Sequence, residues 1–265
     1  MWGIIPAAGA GSRIQPLAFS KELLPVGSRI EEGIERPRAV SEYLLERMVL
    51  GGADRICFVI SPGKSDILEY YGGGTCVAHI SFTVQSHPAG LCDAIFRALP
   101  LIPDDDSAIV GLPDTIWFPE DALAQLGDDP LSFLLFPVDR PELFDSVRTD
   151  RAGRVLEIQV KRQDAASPWI WGAFKLSGRT MRELHELWLA RDRRDEYIGT
   201  LVNAWLAAGG RATTVRAGQA YVDVGTLHGY REAIRVLSER PQESPATFIR
   251  EEQRDRSGEA VERTQ

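Results

Sequence analysis

Apolar and polar residues follow two different patterns along the first half of the chain. Some runs are continuously apolar or alternate every second residue, as strands do, while others carry apolar side chains at helical spacing. The patterns predict strands at residues 2–6, 55–60, 77–84 and 107–112, and helices at residues 39–50, 64–71 and 91–99. Strands that alternate with helices are typical of an α/β fold with a mixed, mostly parallel sheet flanked by helices.

The second half of the chain contains more strands. The patterns there predict strands at residues 131–137, 154–160, 170–176, 211–216 and 221–224, and helices at residues 177–190, 195–208 and 227–237. Gly153 indicates a turn, and therefore a hairpin, before the second of these strands. We expect one domain over residues 1–238, with halves at 1–130 and 131–238. Residues 239–265 are poor in apolar side chains and are predicted to form a flexible tail.

Charge and composition restrict the function classes. The net charge is -8, from 30 Lys and Arg against 38 Asp and Glu, which argues against general nucleic-acid binding. The chain shows neither a signal-peptide pattern nor an apolar run of membrane-spanning length, so we expect a soluble cytoplasmic protein without membrane contact. Cys57, Cys76 and Cys92 lack metal-ligand spacing and are expected to be buried, reduced thiols.

A loop of small residues follows the first predicted strand. It is Ala7-Ala8-Gly9-Ala10-Gly11-Ser12-Arg13. Small residues let backbone amides approach phosphate oxygens, and Arg13 adds a charged fork for the same group. A third Gly at dinucleotide spacing and the Gly-Lys-Ser/Thr of a P-loop are both missing. A tight turn that binds no ligand is the alternative on the loop alone.

A lysine and two aspartates extend this chemistry. Lys21, in the motif Lys21-Glu22-Leu23-Leu24-Pro25, places a second cation near the same sheet edge. Asp114 follows a buried predicted strand, where α/β sheets bind ligands, and Asp223 lies just before a Gly turn. Two carboxylates that converge on triphosphate oxygens are a common way to hold Mg²⁺. Taken singly, either aspartate is equally well explained as an ordinary turn residue.

These motifs together resemble the sugar-1-phosphate nucleotidylyltransferase family, whose opening signature is approximately A-G-G-x-G-T-R-L-x-P followed by a Lys and L-L-P. Further matches are Pro37 to Tyr43 for K-P-x-x-x-Y, Gln85 to Leu91 for the nucleobase segment, Gly111-Leu112-Pro113-Asp114 for L-G-D-N, and Tyr221-Val222-Asp223-Val224-Gly225-Thr226 for W-x-D-x-G-T. They run in order through residues 2–237. The resemblance implies a Rossmann-like fold with a small β-rich sugar-binding insertion.

The resemblance also implies a reaction and a set of roles. A nucleoside triphosphate, with thymidylyl or uridylyl transfer favoured, and a sugar 1-phosphate would give an NDP-sugar and pyrophosphate with Mg²⁺ as cofactor. Catalytic roles fall on Arg13, Lys21 and Lys161, and metal binding on Asp114 and Asp223. Nucleotide binding falls on Ala8, Gly9, Ala10, Gly11, Ser12, Gln85, Gly90 and Asp114.

The acceptor side departs from the family pattern. Phe144-Asp145 stands for Y-G, Gln159-Val160-Lys161-Arg162 for E-E-K-P, and Trp171-Gly172-Ala173-Phe174 for T-G-x-Y. The residues expected to bind the acceptor are Asp145, Val160, Trp171, Gly172 and Tyr221. Because hydroxyl partners are lost, glucose 1-phosphate is not carried over, and another phosphorylated acceptor stays open.

Two other functions stay open as alternatives. One is a catalytically idle relative that binds nucleotides or NDP-sugars as a regulatory subunit, and the other is a glycosyltransferase, for which Asp104-Asp105-Asp106 lies in a predicted loop. The charged run at residues 191–196 is interpreted as a solvated interhelix loop, with a regulatory phosphate site as the alternative. Homo-oligomerisation is left open.

Overall fold

A computed structural model describes residues 1–31, 33–72 and 78–239. Within these residues the strands are β1 (Trp2–Pro6), β2 (Pro25–Glu31), β3 (Ile34–Ala39), β4 (Arg55–Ile60), β5 (His79–Val84), β6 (Ser107–Gly111), β7 (Thr115–Phe118), β8 (Leu131–Pro137), β9 (Asp145–Thr149), β10 (Val155–Val160), β11 (Trp169–Ser177), β12 (Thr213–Val215) and β13 (Ala220–Asp223). The helices are α1 (Val40–Leu50), α2 (Ser65–Tyr71), α3 (Gly90–Arg97), α4 (Gly178–Ala190), α5 (Ile198–Ala207) and α6 (Leu227–Ser238). The expectations for Cys76 and for residues 240–265 lie outside the described residues.

A nine-stranded mixed sheet forms the centre of the fold. Its main path has the order β10-β9-β11-β6-β1-β4-β5, and β8 joins β11 to β12. The neighbours β6, β1, β4 and β5 are parallel, whereas β11 runs antiparallel to both β6 and β8. The predicted α/β class, with a mostly parallel sheet flanked by helices, is confirmed.

Both faces of the central strands are buried. Ile4 packs into the apolar cluster on the side of α3, α4 and α5, and its neighbour Ile5 packs into the cluster on the side of α1 and α2. Cys57 and Phe58 on β4 divide in the same way. Strands buried on both faces have continuous apolar sequences, which is why β1 and β4 were predictable from the pattern.

Two short antiparallel pairs lie outside the main sheet. One is the ribbon of β7 and β13, and the other is the hairpin of β2 and β3. The hairpin was not predicted. Its strands alternate charged residues with Pro25, Gly27 and Pro37 and bury little of their length, so they lack the apolar period of a strand.

The β-rich insertion is the hairpin of β9 and β10. Val155 to Val160 pairs antiparallel with Asp145 to Thr149, and Gly153 in the connecting turn has a φ of +79°. This pairing confirms the predicted hairpin. Glycine is favoured in the turn because the backbone there is left-handed. Strand β9 itself was not predicted.

Two cysteines lie in the hydrophobic core. Cys57 and Cys92 are free and buried, as predicted, and burial raises the pKa of the Cys92 thiol to about 12. Among the described helices, none has both the length and the apolarity needed to cross a bilayer.

The start of α4 packs so closely that only glycine fits. A Cβ on Gly178 would lie 1.9 Å from the Pro103 carbonyl oxygen, and its N–H already donates to the Asp106 carbonyl at 2.8 Å. We expect Gly178→Ala to lower the free energy of unfolding by about 2 kcal/mol or more, because the added methyl must displace backbone. Urea denaturation monitored by circular dichroism measures this change.

Gly127→Ala is the matched control. A Cβ there meets only the Asp129 carboxylate, at 3.8 Å, so its stability should stay close to that of the wild type. Equal effects of the two substitutions would contradict the packing argument.

Candidate functional site

A cavity of about 410 Å³ opens at the carboxyl ends of β1 and β6. Ligands of α/β proteins bind at this edge of the sheet. The cavity collects charged residues from distant parts of the sequence. Its walls are Pro6, Gly9, Arg13, Lys21, Leu91, Leu112, Pro113, Asp114, Thr115, Leu143, Phe144, Asp145, Lys161, Trp171, Tyr197, Tyr221 and Asp223.

The loop after β1 forms one side of this cavity. Gly9 has open space at its Cβ position, and Gly11 has a φ of +66° with the Lys21 side chain 2.5 Å from where a Cβ would be. Glycine at position 11 therefore lets Lys21 lie directly against the loop. Ala8 is buried, whereas Ala10 and Ser12 are exposed at the rim.

The β7–β13 ribbon brings the two predicted metal ligands together. Asp223 pairs with Thr115 in this ribbon, and the Val224 N–H donates to the Asp114 carbonyl at 2.8 Å. Gly225 follows Asp223 closely. A Cβ on Gly225 would lie 2.8 Å from Asp223 Oδ1 and 2.9 Å from Asp114 Oδ2, so both carboxylates border one small space that a side chain would fill.

Two cations lie against these carboxylates. Lys21 Nζ donates to Asp114 Oδ2, and Arg13 Nη1 lies 3.3 Å from Asp223 Oδ2. Burial lowers the pKa of Lys21, but the charges of Asp114 and Glu22 outweigh it, and the net pKa shift is upward. Positive and negative groups are therefore interleaved in the cavity.

The donor set fits a divalent cation that keeps part of its hydration shell. Within residues 1–31, 33–72 and 78–239, no three His, Cys, Asp or Glu side chains are grouped for metal binding. Asp114 and Asp223 supply two carboxylates, and Mg²⁺ characteristically takes one or two carboxylates and fills its remaining positions with water and phosphate oxygens.

A buried ion pair supports the loop from behind, and the sequence patterns did not reveal it. Glu22 is fully buried, and Lys64 Nζ donates to both of its carboxylate oxygens at 2.8 Å and to the Ala7 carbonyl at 2.6 Å. Burial raises the pKa of Glu22 and lowers the pKa of Lys64, and each group opposes the other's shift. Lys64 belongs to no recognisable sequence motif, so nothing in the sequence indicated that it pairs with Glu22.

The β9–β10 hairpin builds the opposite wall. Asp145 pairs with Val160 across the hairpin, and the Lys161 N–H donates to the Phe144 carbonyl at 3.1 Å. Burial raises the pKa of Asp145, while Lys161 and the indole of Trp171 counteract part of that shift. Asp145, Lys161 and Trp171 thus line the same cavity.

Tyr221 also lines the cavity. Its ring contacts Phe144 edge-on with centroids 5.8 Å apart. Burial, together with the charges of Asp223 and Asp114, raises the pKa of Tyr221 well above its usual value, so the phenol stays neutral.

Other predicted site residues lie behind the cavity wall. A Cβ on Gly172 would meet the rings of Phe136 and Tyr221 within 3 Å, and Val160 packs against Gly199. Gln85 is buried, and its amide donates to the Gly90 carbonyl and to Asp93. None of Gln85, Gly90, Val160 and Gly172 is among the wall residues of the cavity.

Comparison with known proteins agrees with this arrangement. The nucleotidyl transferase family model matches residues 2–240. Glucose-1-phosphate thymidylyltransferase from Neisseria meningitidis is 27% identical over 244 residues, which cover 88% of this chain and 81% of that protein. UTP–glucose-1-phosphate uridylyltransferase from Mycoplasma pneumoniae is 28% identical over 146 residues; the match spans 46% of this chain and 47% of that relative, about half of its length.

A solved structure extends the likeness to the whole fold. The UTP-bound UGPase from Acinetobacter baumannii superimposes with a TM-score of 0.73 at 17% identity, over 99% of this chain and 99% of that one. At this identity the likeness establishes the shared fold. The Rossmann-like fold predicted from the motifs is confirmed.

The buried pair gives a stability prediction. Lys64→Met removes both hydrogen bonds from Lys64 to the Glu22 carboxylate and leaves beside it only the Lys21 ammonium, at 3.7 Å, so we expect a loss of about 3 kcal/mol in the free energy of unfolding. The double variant Glu22→Gln/Lys64→Met should be more stable than Lys64→Met alone, because no uncompensated charge is then buried. Urea denaturation of the three proteins measures the coupling.

Arg235→Met is the control at the surface. Arg235 pairs with Glu232 and Glu239 in solvent, so its loss should leave the unfolding midpoint nearly unchanged. A double variant no more stable than Lys64→Met would show that Glu22 and Lys64 do not act as a pair.

Proposed function

The chain belongs to the nucleotidyl transferase family, and from this premise we propose that it couples a nucleoside triphosphate with a sugar 1-phosphate to give an NDP-sugar and pyrophosphate. One observation carries the proposal: Arg13, Lys21 and Lys161 face Asp114 and Asp223 within one cavity. Asp145 is the third carboxylate of the cavity, and three cations in one cavity suit a reaction in which both substrates carry phosphate.

Attack on the α-phosphorus needs positioning more than proton removal. The second pKa of a phosphate monoester is about 6, so the acceptor oxygen is largely ionised at neutral pH and needs no general base. Lys161 would hold the acceptor phosphate, while Arg13 and the amides of residues 8–12 would bind the β- and γ-phosphates. Lys21 would balance charge on the triphosphate. The new phosphorus–oxygen bond forms as the bond to pyrophosphate breaks, so catalysis is orientation plus charge stabilisation.

Asp114 and Asp223 would hold the cofactor, which we infer to be Mg²⁺. When bound, the cation would withdraw charge from the triphosphate oxygens. The space at Gly225 and the two converging carboxylates support this assignment.

The nucleobase is proposed to be thymine or uracil. The thymidylyltransferase and uridylyltransferase relatives support a pyrimidine. Gly90 begins α3 beside the cavity wall at Leu91, and Gln85, which follows β5, donates to the Gly90 carbonyl at 3.1 Å. In this proposal they shape the base pocket through the backbone of residues 85–90.

Acceptor recognition is proposed to fall on Asp145, Trp171 and Tyr221. Asp145 offers a buried carboxylate to a hydroxyl or amine, and the rings of Trp171 and Tyr221 offer apolar faces. Gly172 and Val160 act indirectly, because Gly172 allows Tyr221 to approach and Val160 supports the hairpin that carries Lys161. The complete set of charged groups supports turnover rather than idle binding.

The proposal is tested by measuring pyrophosphate release from each nucleoside triphosphate with Mg²⁺ and a panel of sugar 1-phosphates. We expect release with dTTP or UTP and at least one sugar 1-phosphate. EDTA should stop it, and added Mg²⁺ should restore it. Binding of triphosphate without release from any pair would refute the catalytic proposal.

A carboxylate variant tests the metal assignment. Asp114→Asn should lower kcat by about 100-fold or more, because it removes charge that would bind the cation and anchor Lys21. Steady-state kinetics at saturating Mg²⁺ measures this loss, and circular dichroism verifies the fold.

Asp105→Asn is the control, since Asp105 is an exposed loop residue outside the cavity. We expect it to retain wild-type kcat. Full activity of Asp114→Asn would remove Asp114 from the proposed metal site.

A further inference from the structure

The charged run at residues 191–196 is more ordered than a solvated loop. Asp195 is only 5% exposed, and Arg191 holds its carboxylate through two hydrogen bonds of 2.7 and 3.1 Å. The Trp188 indole donates to the Asp195 carbonyl at 3.1 Å. The interpretation of this run as a solvated loop holds for its exposed central residues, 192–194, but is wrong for Asp195, which anchors the segment to α4.

The next residue ties the segment to the nucleotide side of the cavity. The Glu196 carbonyl accepts the N–H groups of Leu91 at 2.8 Å and of Cys92 at 3.2 Å, in the first turn of α3. Gly90 permits this approach, since its φ is +83° and a Cβ there would lie 2.7 Å from the Glu196 backbone. Residues 195 and 196 are therefore fixed from both sides.

Tyr197 follows this fixed segment and forms part of the cavity wall. The Lys161 ammonium lies 4.8 Å from the centroid of the Tyr197 ring, within the range of a cation–π contact. Lys161 has a φ of +45°, a left-handed conformation that residues other than glycine seldom adopt. Lys161 thus combines an unusual backbone conformation with a contact between its ammonium group and the Tyr197 ring.

An aromatic ring and a carboxylate attract a cation in different ways. The attraction comes from the ring quadrupole, so the ammonium is oriented while its full charge stays available to an anion. Asp145, on the neighbouring strand, attracts the same ammonium by charge. Tyr197 gives Lys161 a position that does not depend on neutralising it.

We propose that Tyr197 is a positioning residue for the acceptor phosphate, which it serves by fixing the Lys161 ammonium over its ring. The proposal rests on the proposed function, in which Lys161 binds the phosphate of the acceptor. Because Glu196 also contacts α3, the same rigid segment would set the distance between the acceptor phosphate and the start of α3.

The experiment replaces the ring and separates the two substrates. With the triphosphate and sugar 1-phosphate pair that turns over fastest, Tyr197→Leu should raise the KM for the sugar 1-phosphate about tenfold. The KM for the triphosphate should stay within about twofold of the wild-type value, since Tyr197 acts on the acceptor phosphate. Tyr197→Phe should recover most of the acceptor affinity, because the ring is kept.

A double variant tests whether Tyr197 acts through Lys161. In a Lys161→Met background, Tyr197→Leu should add less than about a twofold further loss in kcat/KM for the acceptor. Leu189→Ala is the control: Leu189 is as exposed as Tyr197, at 39% against 38%, and lies on the last turn of α4 away from the cavity. It should leave both KM values unchanged.

The outcomes are distinguishable. Equal increases in both KM values, or additive losses in the double variant, would indicate a merely structural role and overturn the positioning proposal while leaving the proposed function intact. An unchanged acceptor KM in Tyr197→Leu would do the same. A wild-type protein that releases no pyrophosphate with any pair would overturn the proposed function, and the positioning proposal with it.

Discussion

The buried pair of Lys64 and Glu22 is the interaction on which the small-residue loop at residues 7–13 and the turn with Lys21 depend. The Lys64 ammonium joins the carbonyl of Ala7, where the small-residue loop begins, to a carboxylate in the turn that carries Lys21. A backbone loop of small residues has little packing of its own, so an ammonium bonded to both pieces gives it a defined shape. Such a charge is costly to bury, and the pairing offsets that cost only while both partners remain.

The two ends of the cavity are built from different parts of the sheet. The small-residue loop and Asp114 follow β1 and β6, which are parallel neighbours in the doubly buried centre. Asp145 and Lys161 belong to an antiparallel hairpin at the sheet edge. The centre tolerates little change because both of its faces are packed, whereas an edge hairpin can change its side chains without disturbing the core. Two of the three departures from the family pattern, at residues 144–145 and 159–162, lie at this hairpin, whereas the third, at Trp171, lies on the buried strand β11.

Predictability from the sequence followed the same division. Strands β1, β4 and β6 were predictable because a strand buried on both faces has a continuous run of apolar residues. Asp114 was identified because it follows such a run. The β2–β3 hairpin was not predicted because its prolines and charged residues do not alternate with apolar residues as in a half-buried strand. Tyr197 escaped for another reason: the fold, through Glu196 and the start of α3, brings it to a lysine far away in sequence. Contacts of this kind depend on tertiary packing and leave no local pattern.

The conformation of Lys161 links the fold to the chemistry. A left-handed residue other than glycine costs roughly 1 kcal/mol, and a glycine at this position would remove that cost. Glycine would also remove the Lys161 ammonium. Among the described residues of this hairpin, Lys161 is the only one that places a cation in the cavity. The hydrogen bond from its N–H to the Phe144 carbonyl and the ring of Tyr197 together offset a penalty of this size. The strain therefore persists because the surrounding contacts hold the ammonium where an acceptor phosphate would require it.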